Sequence, residues 1–346
     1  MSVIVHASSF TIGAKGRNQH NAAIKISNGL IRNGHLVLNF SERDVARANT
    51  LLGHRKFARA TVNRALREFC GDQRPDLLIL GHADMIDPGT IAAIREAVPG
   101  VRVLQWYVDA LFVPAHIKKF EEKADVVDAT LISTGLEGLA PLRKGKRRLG
   151  FLPNPVDVSI ERGENHLHRD LPYDLFFACG DIVRNVCGKE WDMNEFMTML
   201  LGKLPGVKPL LAGLHGQPYL FGPPYQDAME KAALGLNISR RADWPLYTSD
   251  RMAQMIGNGM AILMERTSGY DKIFGDDEIL FFSSIDELAE KIRDAIAHPE
   301  RRQAIAAKGR ESYIRLFNER TVARYMVDFA FDRADAALYG WPAGLI

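Results

Sequence analysis

Short apolar runs alternate with longer amphipathic runs along most of the chain, and the alternation starts twice. In the first half, apolar runs at residues 2–7, 35–40, 76–80, 101–108, 129–133 and 149–152 predict strands. Segments at 19–33, 55–69, 88–98 and 115–123 carry apolar residues at three- and four-residue spacing and predict helices, the first stopped by Asn33-Gly34. The strand runs are apolar throughout rather than every second residue. That is the pattern of a parallel sheet covered on both faces, and so of a doubly wound α/β domain.

Pro153-Asn154-Pro155, followed by a polar stretch to Asp170, breaks the rhythm and reads as an exposed linker. His166 and His168 lie in it without the neighbouring cysteine or carboxylate spacing of a metal site. The alternation then resumes, with strands predicted at 173–178, 207–211, 235–238, 261–264 and 279–282. Helices are predicted at 193–204, 225–234, 285–298 and 299–313, with an amphipathic tail at 319–338. The pattern predicts two α/β domains, residues 1–152 and 153–318, and a separate C-terminal segment over 319–346. Two such domains leave a cleft, and in this architecture ligands sit at the carboxyl ends of the strands.

The stretch 236–280 concentrates polar chemistry in the second domain. Asn237, Ser239, Arg240 and Arg241 lead into Tyr247-Thr248-Ser249-Asp250-Arg251, and a helix then runs to Gly257-Asn258-Gly259. Ser249 or Asp250 is the natural N-cap, since a short side-chain oxygen can accept from the free N–H groups of the first turn. A helix start beside several arginines suits a phosphate. It equally suits an ordinary capped helix with solvated arginines.

Composition narrows the field. The net charge of +2 gives no global field for nucleic acid. The run Arg143-Lys144-Gly145-Lys146-Arg147-Arg148 is either a solvated loop or a contact for an anionic membrane surface. Three cysteines, Cys70, Cys179 and Cys187, without a CxxC pair, argue against a disulfide framework or a structural zinc site. The opening MSVIVHASSF lacks a basic n-region and a long apolar core, and no run is long enough to span a bilayer. A cytoplasmic protein is therefore expected, with peripheral contact at the inner face of the membrane left open. No GxGxxG, GxxxxGK[ST], GxSxG or HExxH is present.

The segment 237–329 resembles the C-terminal half of group-1 glycosyltransferases, and most closely their spore-coat-maturation (CgeB-like) branch. The residues that carry this are Leu236-Asn237-Ile238-Ser239-Arg240, Tyr247-Thr248-Ser249-Asp250-Arg251, Gly257-Asn258-Gly259, Gly269-Tyr270 with Phe274-Gly275, Ile285-Asp286-Glu287-Leu288, His298-Pro299-Glu300-Arg301-Arg302 and Ala306-Ala307-Lys308-Gly309-Arg310. In the first half only Trp106-Tyr107-Val108-Asp109 is similar. The resemblance implies a GT-B fold with a nucleotide-sugar donor on the second domain and a carbohydrate or glycolipid acceptor on the first. It also implies no metal, a C-terminal helix over 319–346 that crosses back to pack on the first domain, retention of anomeric configuration, and a role in surface polysaccharide or lipopolysaccharide assembly. The group's paired glutamates fall here on Leu246 and Gln254, neither of them acidic.

Without a metal, a departing diphosphate needs cationic side chains. Arg184, Lys189, Arg240, Ser249, Asp250 and Arg251 are the candidates for that contact, with Arg251 also assigned to catalysis. Gly180, Asp181, Gly213, Asn237, Tyr247 and Gln254 are the candidates for the donor's sugar and nucleoside. On the acceptor side, Asp109 ends a strand and is the candidate catalytic carboxylate, a general base or a partner for a sugar hydroxyl. Gly13, Lys15, His82 and Trp106 are candidates to line the same cleft, His82 and Asp84 as rival bases and Trp106 as a stacking surface. Two other readings stay open: a nucleotide-sugar epimerase of the same fold, and a non-catalytic nucleotide- or carbohydrate-binding protein.

Overall fold

The apolar runs become strands and the amphipathic runs become helices in the computed structural model, which describes residues 1–11, 17–49, 58–81, 83–180, 183–342 and 344–345. Met1–Pro155 and the segment from Glu319 onward form one unit, and Val156–Asn318 form a second.

The first unit holds β1 (Val3–Ser8), α1 (Ala22–Arg32), β2 (Leu36–Ser41), α2 (Glu42–Ala48), α3 (Arg59–Gln73), β3 (Leu77–Gly81), α4 (Pro88–Ala97), β4 (Arg102–Tyr107), α5 (Pro114–Ala124), β5 (Ala129–Ile132) and β6 (Leu149–Phe151). The six strands form one parallel sheet in the order β2-β1-β3-β4-β5-β6. Val5, Ala7, Leu78, Leu80 and Val103 project from one face into a core shared with Val62, Leu66, Ile91 and Ile94 of the covering helices.

The second unit holds β7 (Tyr173–Ala178), β8 (Val183–Val186), β9 (Lys189–Asp192), α6 (Met193–Gly202), β10 (Pro209–Ala212), α7 (Pro223–Met229), β11 (Ala232–Asn237), α8 (Arg251–Gly257), β12 (Ala261–Glu265), β13 (Leu280–Phe282), α9 (Ile285–Ala297) and α10 (Pro299–Phe317). Its parallel sheet runs β10-β7-β11-β12-β13. The chain goes from β7 to one neighbour, β10, and then to the other, β11. The gap between the carboxyl ends of β7 and β11 is therefore a topological switch point, the usual ligand position in such sheets.

After α10 the chain returns to the first unit as α11 (Glu319–Ala330) and packs on α1. Gly29 permits the close approach. A Cβ there would lie 2.0 Å from the Glu319 carbonyl oxygen and 2.8 Å from Ala323 Cβ.

Four local expectations are corrected. The stretch after Cys179-Gly180 is not simply a loop: β8 and β9 form an antiparallel hairpin. Its two-residue turn, Cys187 and Gly188, has φ of 49° and 79°, the positive pair that matches strand twist. The helix expected at 225–234 ends at Met229, and the strand begins at Ala232. A fully buried apolar run reads as helix or strand by pattern alone, and here pairing with β7 and β12 decides it. α2 was not foreseen, and the C-terminal helix stops at Ala330.

The expected linker is also built into the second unit. Asp157 and Glu161 are fully buried, and Glu161 Oε2 accepts from Asp157 N–H at 2.9 Å. Asn165 Nδ2 donates to the carbonyls of Met229 and Ala232, each at 2.7 Å, and so ties this segment to the base of the sheet. His166 is half-buried there, and burial lowers its pKa.

Candidate functional site

At the switch point of the second unit lies a cavity of about 320 Å³. Its floor is the end of β7 and the residues after it, Ala178, Cys179 and Gly180. Three arginines reach it from three elements: Arg184 from β8, Arg240 from the segment after β11, and Arg251 from the first turn of α8. Among the described residues that line it, none is acidic. Tyr219, Leu220, Phe221 and Tyr225 form an aromatic and apolar wall.

The arginines are held by backbone carbonyls and a thiol. Arg184 Nη1 donates to the Ile238 carbonyl at 2.5 Å, and its Nε donates to Cys179 Sγ at 3.0 Å. Arg251 Nη2 donates to the same Ile238 carbonyl at 3.1 Å, its Nη1 to the Ala178 carbonyl, and its Nε to Ser249 Oγ at 3.0 Å. Desolvation, and then the charge of Arg184, pull the Arg251 pKa down to about 10. It is still a cation at neutral pH. The hairpin that brings Arg184 here is anchored twice: Asn185 N–H donates to the Arg240 carbonyl at 3.2 Å, and Cys187 N–H donates to Glu265 Oε2 at 3.0 Å. Clustered cations in a partly desolvated cavity favour an anion with several acceptor oxygens, such as a diphosphate.

In the first unit, Asp109 follows β4 and is half-buried. The Tyr107 hydroxyl stays protonated, mainly through burial and then through the Asp109 carboxylate. Asp84, after β3, is engaged by Lys119 Nζ at 3.2 Å. One carboxylate nearby was not anticipated. Glu42, the first residue of α2, is fully buried and accepts from Met85 N–H at 3.0 Å. Burial pushes its pKa up to about 7. Lys123, also buried, donates to the Ala83 carbonyl at 3.1 Å.

Residues 177–328 match a family model described as glycosyl transferase-like. Among solved structures, HepE of Anabaena in complex with UDP-glucose is similar over 96% of this chain and 100% of its own, at 11% identity and a TM-score of 0.61. The α,α-trehalose 6-phosphate synthase of Burkholderia multivorans is similar over 97% of this chain and 100% of its own, at 11% identity and a TM-score of 0.60. AviGT4, a glycosyltransferase involved in avilamycin A biosynthesis, is similar over 95% and 97% respectively, at 13% identity and a TM-score of 0.56. No curated protein sequence matches the chain.

Residues 177–328 are a glycosyl transferase-like domain, and the chain has the GT-B fold of these structures. Of the donor-side residues singled out in the sequence, the cavity brings together Gly180, Arg184, Arg240, Tyr247, Ser249 and Arg251. Asp181, Gly13, Lys15 and His82 lie outside the described residues.

The other assignments change. Lys189 does not line the cavity; it sits on β9 with its ammonium 3.9 Å above the Trp191 ring. Asp250 occupies the N-cap position with helical φ and ψ and makes no capping bond, while Ser249 Oγ is an acceptor for Arg251. The capped-helix expectation therefore fails. α8 spans only seven residues, and the cations rather than the helix end dominate the site. Asn237 is buried and donates to Thr248 Oγ1 at 3.0 Å, which joins β11 to the next loop. Gln254 is buried, accepting from the Tyr225 hydroxyl at 3.0 Å, and does not line the cavity. Leu246, at the other glutamate position, is fully buried.

Gly213 has φ of 78° and lies behind Tyr219 instead of lining the cavity. Trp106 is fully buried, with Nε1 donating to His6 Nε2 at 3.1 Å, and is core rather than a stacking surface. In the basic run, Lys144, Arg147 and Arg148 are ion-paired with Glu121, Asp125 and Asp332 at 2.8, 2.6 and 2.8 Å. Among the described residues, no helix is long and apolar enough to cross a membrane. No group of three or more His, Cys, Asp or Glu among them is placed to hold a metal ion.

Proposed function

We propose that the cavity at the ends of β7 and β11 holds the diphosphate of a nucleotide-sugar donor, and that the protein transfers the sugar to a carbohydrate or glycolipid acceptor. The observation that carries this reading is three arginines, and no acidic residue among the described ones, around a cavity at the switch point of the sheet. Loss of the diphosphate leaves negative charge on the leaving group, and fixed cations in a desolvated site stabilise that charge as it develops. Arg184 and Arg251 then do what a divalent cation does elsewhere, so the reaction proceeds without a metal.

HepE, similar in fold, is seen with UDP-glucose, so UDP-sugars are the first donors to test. Asp109, at a strand end of the first unit, accepts a hydrogen bond from the acceptor hydroxyl and is the candidate to receive its proton as the glycosidic bond forms and the bond to the diphosphate breaks. The resemblance supports retention of configuration and an acceptor belonging to cell-surface polysaccharide or lipopolysaccharide assembly.

Calorimetric titration with UDP and UDP-glucose, followed by transfer assays on a panel of sugar and glycolipid acceptors, tests the proposal. Saturable donor binding and an acceptor-dependent product are expected, with the product's anomeric configuration giving the stereochemistry. Conversion of the donor in the absence of any acceptor would instead identify an epimerase. No binding of any nucleoside diphosphate would remove the donor assignment.

A further inference from the structure

We propose that Glu42 is a proton-operated latch on residues 83–87 at the end of β3, closed while its carboxyl group holds a proton and loosened when that proton leaves. The latch lies in the first unit and does not depend on the donor assignment in the second. In the first sheet the chain goes from β1 to one neighbour, β2, and then to the other, β3. The carboxyl ends of β1 and β3 therefore flank a topological switch point, where ligands sit in such sheets. The segment after β3 stands at that place and carries Asp84, which is half-buried.

Side chains from three helices grip this segment by its backbone. Asn63 of α3 holds the far end: its Nδ2 donates to the Met85 carbonyl at 2.8 Å, and its Oδ1 accepts from Asp87 N–H at 2.8 Å. The Arg59 carbonyl and the Thr90 hydroxyl complete the bonds of this neutral amide. Two ionisable groups hold the near end. Lys123 of α5 donates to the Ala83 carbonyl at 3.1 Å, and Glu42 Oε2 accepts from Met85 N–H at 3.0 Å. Both side chains are buried, that of Glu42 entirely. Among the described residues, Glu42 Oε1 makes no hydrogen bond.

A buried carboxyl group with one bare oxygen is tolerated far better neutral than charged. The charged groups around it are Arg43 of its own helix, with Nε 3.9 Å from Oε1, Asp84 of the segment, Lys123 of α5, and Arg59 of α3, which is itself paired with Asp87. Burial outweighs the Met85 N–H, Arg43 and Lys123 and pushes the Glu42 pKa from 4.5 up to about 7, and Asp84 adds to the rise. Once ionised, the carboxylate is stabilised by water, which reaches it when Met85 and its neighbours move away. Opening therefore releases a proton between pH 4.5 and 7, grows easier across that range and levels off above it. Asn63 keeps Asp87 and the start of α4 in place, so the movement falls on residues 83–85 and carries Asp84 with it.

Amide hydrogen exchange of the intact chain, resolved to single residues and corrected for the intrinsic pH dependence of exchange, tests the latch. Protection of the Met85 amide should fall roughly a hundredfold between about pH 5 and 7 and stay level above, since release of one proton changes an opening constant by at most about tenfold per pH unit. The Asp87 amide, held by Asn63, and the amides of α3 and α4 should not follow. In Glu42→Gln, which carries no charge at any pH, protection of Met85 should not depend on pH. Where that variant does not fold, the contrast between Met85 and Asp87 in the parent decides by itself.

Constant protection of Met85 in the parent would overturn the latch. So would a fall shared by α3 and α4, which would mean that Glu42 ionises only when the whole unit opens. A parent-like fall in Glu42→Gln would assign the proton to another group and overturn it too. Titration of UDP in the same buffers examines the donor reading separately: absence of UDP binding would remove that reading and leave the latch standing.

Discussion

Arg184 and Arg251 converge on one acceptor: both guanidinium groups donate to the Ile238 carbonyl, at 2.5 and 3.1 Å. Two like charges so close are stabilised by an anion bound between them. Arg251→Ala should cut transfer, or acceptor-free release of UDP, about a hundred- to a thousandfold, the cost of one oxyanion donor. Arg184→Ala should do the same. Because the two share a carbonyl, the double variant should lose less than the product of the single losses. Rates from the three variants, each with its unfolding curve, settle the matter. Strict multiplicativity would mean that the two arginines act independently.

Occupancy should stabilise the fold. UDP at about a hundred times its dissociation constant raises the unfolding free energy by about 2.7 kcal/mol. The thermal shift should vanish in Arg251→Ala.

Charge compensation by arginine predicts indifference to chelation. UDP binding and sugar transfer should be the same in excess EDTA as in excess magnesium. A drop in either that magnesium restores would place a metal in the reaction.

Two buried groups of the first unit give opposite pH dependences. Glu42 is held at about 7, above its ordinary carboxylate value of 4.5. Its folded, protonated form stabilises the protein at low pH, and that stabilisation is lost as pH rises from 4.5 through 7. His6, wholly buried against Trp106, is lowered from 6.5 to about 3 by desolvation. It stabilises above 6.5, and that contribution is lost as pH falls toward 3. Between 4.5 and 6.5 the two slopes oppose each other. Glu42→Gln removes the falling slope, so its stability relative to the parent should improve by roughly 3 kcal/mol between pH 4.5 and 7.5, at about 1.4 kcal/mol per pH unit. Urea unfolding at both pH values measures this. A gap that does not change with pH would show that Glu42 ionises normally.

The α1–α11 contact should be intolerant of a single methyl group. Gly29→Ala forces a Cβ against the Glu319 carbonyl and should cost about 1–3 kcal/mol, more than the helix propensity gained. Gly71→Ala in α3, where nothing lies within 4 Å, should be neutral or stabilising. Thermal melts of the two variants give the comparison.

The alternation of apolar and amphipathic runs was enough to read two parallel-sheet domains, because strands buried on both faces have no polar positions to disguise them. It was enough as well for most strand positions; Arg240, Ser249 and Arg251, close together in sequence on the approach to α8, were singled out by the family resemblance. What it lacked was distance. Trp106 and Tyr219 are both aromatics near strand ends, yet one is sealed against His6 and the other stands open beside Arg184.

The β8–β9 hairpin escaped because its turn is Cys187-Gly188 rather than a residue pair that announces a hairpin. Arg184 consequently had no reason, on pattern alone, to be preferred over Lys189. The chain's own order of residues determined the layers and where the cations cluster in sequence. Which cations share a cavity, and which carboxylate is buried enough to have its pKa pushed up to about 7, was decided only by tertiary packing. Desolvation and hydrogen-bond geometry depend on neighbours drawn from distant parts of the chain.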